Sequence, residues 1–275
     1  MNPEPEPAAP VPPANHADSA NQQSEWFGPD GRPVHKEQCT CFSQHRANRQ
    51  DPVGFHAELQ DTSSPGWRRL LDNVDEAVAD GREEFSPLHG LSPLERRDVI
   101  TLPPTIGRLT AVKHLMLYGS NLVRIPPEIG GMTNLEEFTP YTSHRLHWFP
   151  YEITRCTKLT RSTVSTRSLF GNFKLRPPFP RLSAEGDPTP NGSLGTLDPT
   201  AWGATAIRTC SVCDCPMEGA ELHQVWISLV VATDVLPLLV NACSAECVAA
   251  LPPGADGYAP GPHKGGGDVD QPRAD

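Results

Sequence analysis

The sequence predicts an α/β chain: a short array of strand-bearing repeats, capped by one helix and followed by a small hairpin-and-helix module held by cysteines. Three observations predict it. Residues 102–172 are self-similar with segment starts at 102, 125 and 149, residues 64–81 carry apolar side chains at helical spacing, and residues 210–247 hold two cysteine pairs around two apolar runs. Proline (31) and glycine (22) fill about a fifth of the 275 positions and crowd the ends and the middle, which favours small units over one large core.

From the start of the chain, residues 1–24 (MNPEPEPAAPVPPANHADSANQQS) offer almost nothing to bury and read as a disordered tail. Residues 25–63 read as an irregular segment. Within it, His35, Cys39, Cys41 and His45 are ligand-type side chains in a C-x-C pattern with flanking histidines, a spacing that fits a partly exposed loop better than a metal site. Residues 64–97 form the approach to the repeats. Trp67, Leu70, Leu71, Val74, Ala77 and Val78 recur at helical spacing, with Ser64 placed as N-cap and Gly81 as stop, so a helix here would cover the first repeat.

The repeat region spans 98–182. Its three segments each begin with an apolar residue and proline, place Ile106, Ile129 and Ile153 four positions later, and reach Val112, Leu135 and Leu159 ten positions later. This resembles the leucine-rich repeat over about residues 98–172, matched best by Val112, Leu115, Leu117, Leu122, Ile125, Pro126 and Ile129. The resemblance implies a solenoid of about three units, each unable to bury its apolar face alone. Departures are Pro140 and Ser162 at inward strand positions and Ser120 where the pattern has Asn; Pro140 is expected to weaken or bend the sheet. Cys156 falls at a core position. Strand periodicity then turns His114, Met116, Tyr118, Glu137, Thr139, Tyr141 and Arg161 to one open face, where the resemblance implies a protein partner.

Residues 183–204 read as a linker and 205–252 as a cysteine module. Cys210-x2-Cys213 and Cys243-x3-Cys247 flank HQVWISLVV and VLPLLVNA, two apolar runs separated by ATD that predict a hairpin, and Ser244 can cap a following helix. Knuckle, hairpin and helix in that order resemble a treble-clef zinc finger. Zinc takes four ligands in a tetrahedron and accepts thiolate sulfur, so two close pairs brought together by a hairpin can enclose it. Cys210, Cys213, Cys243 and Cys247 are the candidate ligands of a structural zinc, with Cys215 left over and His223 a further candidate. Residues 253–275 read as a second disordered tail.

Charge is uneven: 9 Lys+Arg against 16 Asp+Glu in 1–97, 11 against 5 in 98–182, and 3 against 12 in 183–275. The module at 205–252 has only Arg208 against five acids, so it is poorly equipped to hold a phosphate backbone. The basic run Arg155, Lys158, Arg161, Arg167, Lys174, Arg176 and Arg181 keeps a nucleic-acid-associated zinc protein as the alternative. A bacterial effector of the ubiquitin-ligase type is a further alternative, although that activity needs a large helical domain after the repeats. No P-loop, GxSxG, HExxH or paired-carboxylate motif is present, which points away from an enzyme. The first 24 residues lack a basic run followed by an apolar core, and the most apolar stretch, 225–240, is broken by Asp234 and Pro237. The expectation is a cytoplasmic protein–protein interaction scaffold, with no membrane segment and no catalytic residue.

Overall fold

A computed structural model describes residues 41, 56, 58–164, 169–171, 177–182, 206–267 and 269–270. The chain divides into residues 1–36 and 37–275, and only the second unit contains described residues. The tail read at 1–24, most of the segment 25–63 and the linker 183–204 lie outside them. The architecture is mixed α/β, with one parallel and one mixed sheet.

Helix α1 (Pro65–Asp80) begins where Ser64 accepts a hydrogen bond from the Trp67 amide and ends at Gly81, whose φ of 66° is the left-handed conformation that glycine adopts without steric cost. Its buried stripe is Trp67, Leu70, Val74 and Ala77. Strand β1 (Glu84–Phe85) and helix α2 (Pro93–Asp98, capped by a reciprocal Ser92–Glu95 pair) follow. The strand was not expected. It pairs in parallel with β2 (His114–Met116), Glu84 opposite His114, an offset of 30 residues (114 − 84) that hides it from a search at 23–24.

Strands β3 (Glu137–Thr139), β4 (Phe149–Pro150) and β5 (Arg161–Ser162) come next, and the first sheet runs β1-β2-β3-β5, all parallel. Each of the three segments from 102, 125 and 149 places a 3-10 helix before its strand: Pro104–Arg108, Pro127–Gly131 and Tyr151–Arg155. Ile106, Val112, Leu115, Leu117, Leu122, Ile125, Ile129, Leu135, Phe138 and Ile153 are all buried. The glycines after the isoleucines answer to close approach: a Cβ on Gly131 would lie 2.6 Å from the Gly107 carbonyl oxygen, and one on Gly107 2.8 Å from that of Glu128. Successive 3-10 helices touch backbone to backbone there.

The departures from the repeat pattern have local explanations. Ser120 donates to the Ser143 hydroxyl (2.6 Å), which donates to the Leu117 carbonyl (2.8 Å), so a buried serine pair closes the turn. β3 ends at Thr139, one residue before Pro140, yet Gly119 still donates to the Tyr141 carbonyl (3.0 Å) and the turn stays aligned.

The second sheet is β4-β7-β6, built on the expected hairpin of β6 (His223–Val231) and β7 (Asp234–Ala242). Phe149 and Pro150 of β4 run parallel to Leu238 and Leu239, so the hairpin adds directly to the third repeat segment. Its tip reaches β5: Thr233 donates to the Ser162 carbonyl (2.9 Å), and Ser162 donates to Asp234 (2.6 Å). A leucine at 162 could not make that lock. Both faces of the hairpin are covered. Val225, Ile227, Leu236, Leu238 and Val240 join the main core, while Trp226 and Leu239 pack with Trp148, Phe170, Phe179 and Leu182.

Residues 253–267, expected as a disordered tail, are bonded to the folded body. Trp226 and His263 exchange backbone hydrogen bonds (2.8 and 3.0 Å), Lys264 accepts from the Leu182 amide (2.7 Å) and Gly266 donates to the Phe179 carbonyl (2.9 Å). Residues 263–266 thus join β6 at Trp226 to residues 179–182, bonded by backbone where the sequence has no apolar pattern to announce them. Among the described residues no helix is long and apolar enough to cross a membrane.

Candidate metal centre and open sheet face

Two backbone devices build the cysteine cluster. Cys210 donates to the Cys215 carbonyl (2.8 Å) and accepts from the Asp214 amide (3.1 Å), with Asp214 at φ 61° and a bridge between Thr209 and Pro216. This folds Cys213 back beside Cys210. Cys243 leaves the end of β7, and Ser244 accepts from the Cys247 amide (3.3 Å) to start helix α3 (Ala245–Ala249). Cys243 precedes the cap and does not sit on the helix, whereas Cys247 lies within it.

The sulfurs of Cys210, Cys213, Cys243 and Cys247 all lie within 4.8 Å of one another, and the four could hold a metal ion. Cys213 and Cys243 are 3.5 Å apart and Cys243 and Cys247 3.6 Å. A tetrahedral site with metal–sulfur bonds of ~2.3 Å has sulfur–sulfur edges of ~3.8 Å. The donor set therefore fits. The amides of Val212 and Cys243 both point at the Cys210 sulfur (3.4 Å each), the environment a thiolate needs. A backbone hydrogen bond from Cys215 and contacts with neighbouring thiols hold Cys213 down at about 6. All four are free thiols.

Cys215 lies outside the cluster: its carbonyl closes the knuckle, and its amide and thiol hydrogen-bond with Cys213. His223 stands at the start of β6, 3.6 Å from Glu221, and is not among the clustered ligand atoms. Cys156 is buried as expected, its sulfur donating to the Ile129 carbonyl (3.4 Å), and burial pushes its thiol up to about 12.

The third repeat segment holds the knuckle in place. Arg155 donates to the carbonyls of Ser211 (3.0 Å) and Cys210 (3.3 Å) and pairs with Asp214 (2.5 Å). Glu152 accepts from the Ser211 hydroxyl (2.7 Å), which accepts from the Asn241 amide (2.8 Å). Burial raises the Glu152 pKa against the lowering by that hydrogen bond. A carboxyl raised in the folded state contributes stability that is full below its unfolded pKa and lost as pH rises through the folded one. Glu152→Gln keeps the acceptor for Ser211 without the charge. Denaturant titrations are expected to show the variant gaining on the parent as pH rises above the ordinary carboxyl range. A gap that narrows with rising pH would contradict this.

The open face of the first sheet carries the expected residues in register. His114 lies opposite Glu137 and Glu137 opposite Arg161, with Glu137 pairing to Arg161 (2.7 Å) and to His114 (3.7 Å). Met116 lies opposite Thr139, and His114 contacts the Thr139 hydroxyl (2.9 Å). Tyr118 and Tyr141 stack with ring centres 5.9 Å apart and remain 54% and 46% exposed.

One cluster was not legible in the sequence. Cys41, read as part of a partly exposed loop, is buried, and its ligand atom converges with those of His56 and His147. His35, Cys39 and His45 lie outside the described residues. Comparison with protein-family models and with curated proteins finds no match to this chain.

Proposed function

We propose that the chain is a non-enzymatic protein–protein interaction scaffold: a short leucine-rich-repeat-type array whose open sheet face takes a protein partner, locked at one end by a structural zinc. The stacked, half-exposed pair Tyr118–Tyr141 carries this reading. Two large rings held together in water forgo burial that either could gain elsewhere, and aromatic and methionine side chains concentrate in interface cores. Met116 lies beside them, and the Glu137 row supplies a polar rim.

The four cysteines suit zinc best among divalent ions, since four thiolates in a tetrahedron match its ligand preference. Zinc bound there would crosslink the knuckle to the end of β7 and to α3. The nucleic-acid alternative loses ground because Arg155 and Arg161 of the basic run are engaged in ion pairs with Asp214 and Glu137.

Tyr118→Ala/Tyr141→Ala is expected to fold normally, because neither ring lies in the core, and to lose at least tenfold in affinity for whichever protein the parent retains at high salt. Capture with parent and variant side by side reads this out. Equal retention by a folded variant would refute the assignment of the face. Salt-sensitive nucleic acid as the retained species would favour the alternative.

A further inference from the structure

We propose that Cys41, His56 and His147 form a second metal site, for a divalent cation of the zinc class. Nε2 of His56 lies 3.2 Å and Nε2 of His147 3.3 Å from the Cys41 sulfur; Cys41 and His147 are buried, and the His56 side chain is 8% exposed. A tetrahedral ion with bonds of ~2.3 Å to sulfur and ~2.0–2.1 Å to nitrogen sets a sulfur–nitrogen edge of ~3.5 Å. Two imidazoles turned by the same nitrogen toward one sulfur, from stretches as far as 106 positions apart, have the form of a coordination sphere.

The surroundings orient the ligands. His56 Nδ1 lies 3.3 Å from Glu58 Oε1, so an imidazole bound through Nε2 keeps its proton on Nδ1 and donates it to the carboxylate, the arrangement that typically supports a metal-bound histidine. Arg145 grips the same Glu58 oxygen and lies 3.1 Å from His56 Nδ1. A guanidinium only donates, so cation binding assigns it wholly to Glu58. Arg124 donates to the Glu58 carbonyl. The His147 ring stands edge-on to Phe170, with centres 5.0 Å apart. Its Nε2 also lies 3.2 Å from the His144 carbonyl, a hydrogen bond available only to the cation-free form, because a coordinated nitrogen has no proton to give. Thiolate with imidazole selects zinc or cobalt over magnesium or calcium. The Cys41 thiolate and the Glu58 carboxylate offset the ion's charge. The ion would fasten Cys41, His56 and Glu58 to residues 145–147.

The test uses the full chain stripped with chelator and reductant, with Zn²⁺ alone as the probe and iodoacetamide labelling read peptide by peptide. Zinc is expected to slow labelling of Cys41 at least tenfold while leaving Cys156, the core thiol that reports general unfolding, unchanged. His56→Gln should lose that protection and Cys243→Ser should keep it, which separates this site from the four-cysteine centre. Bound metal should be two equivalents in the parent and one in His147→Gln. Labelling of Cys41 that ignores zinc, or protection that Cys156 shares, would overturn the proposal. So would rapid labelling that depends on His56 but not on zinc, the mark of a thiolate–imidazole pair.

Discussion

Cys243→Ser is expected to remove one metal equivalent and to destabilise the chain by on the order of 4 kcal/mol, the amount a bound ion adds when its free concentration is about a thousandfold above Kd. Cys243 is the ligand with the largest expected effect because its sulfur lies 3.5 Å from Cys213 and 3.6 Å from Cys247, between the two halves of the cluster. Its loss leaves three sulfurs, and the knuckle then relies on its hydrogen bonds with Arg155, Glu152 and Asn241 and on the packing of Cys210, Val212 and Met217 on the core. Cys215→Ser is the matched control: Cys215 is outside the four-sulfur cluster, and serine keeps its backbone groups and puts a hydroxyl where the thiol meets Cys213. Metal analysis and denaturant titration of both variants, beside parent protein treated with chelator, check the claim. A chelator-treated parent as stable as the metal-loaded one would disprove a structural role.

Phe138→Ala should cost about 3–5 kcal/mol, the usual range for deleting a fully buried aromatic. That is a large fraction of a domain stability of about 5–15 kcal/mol. Phe138 is completely buried in β3, flanked by β2 and β5, and its ring meets Phe149 edge-on with centres 5.8 Å apart at 81°. Phe149 in turn pairs with Leu238. The loss is therefore expected in both sheets, with amide exchange quickening in β7 as well as in β3. A cost under about 1 kcal/mol, or a change confined to the first sheet, would show that the two sheets are less coupled than this contact implies.

What the sequence could disclose depended on range. Cys210 and Cys213, and Cys243 and Cys247, are neighbours along the chain, and the hairpin between them is written in two β-branched runs, so the cluster was readable. The register of His114, Glu137 and Arg161 was readable too, because a spacing of 23–24 residues carries the strand phase from one segment to the next. β1 was missed because its offset breaks that spacing. The cluster of Cys41, His56 and His147 was missed because no two of its ligands share a local motif, and Cys41 was instead grouped with sequence neighbours. The backbone pairing of residues 263–266 had no side-chain signal at all. Ser162 was readable as a departure but not as a device, since its partners Thr233 and Asp234 come from the tip of a hairpin far along the chain.

The pairing of β4 with β7 bears on how the chain acquires its structure. Contacts among the repeat segments link residues about one segment apart, so loop closure there is inexpensive and those segments can assemble early. The strand that completes the edge at Phe149 must wait for residues 238–239, and the strip along Trp226 must wait for His263. During synthesis the repeat segments would leave the ribosome with the β4 edge and the apolar side of Phe149 and Trp148 still uncovered. The expected vulnerable species is a nascent or truncated chain ending before residue 243, open to association through that edge until the last strand and the thiols that anchor it arrive.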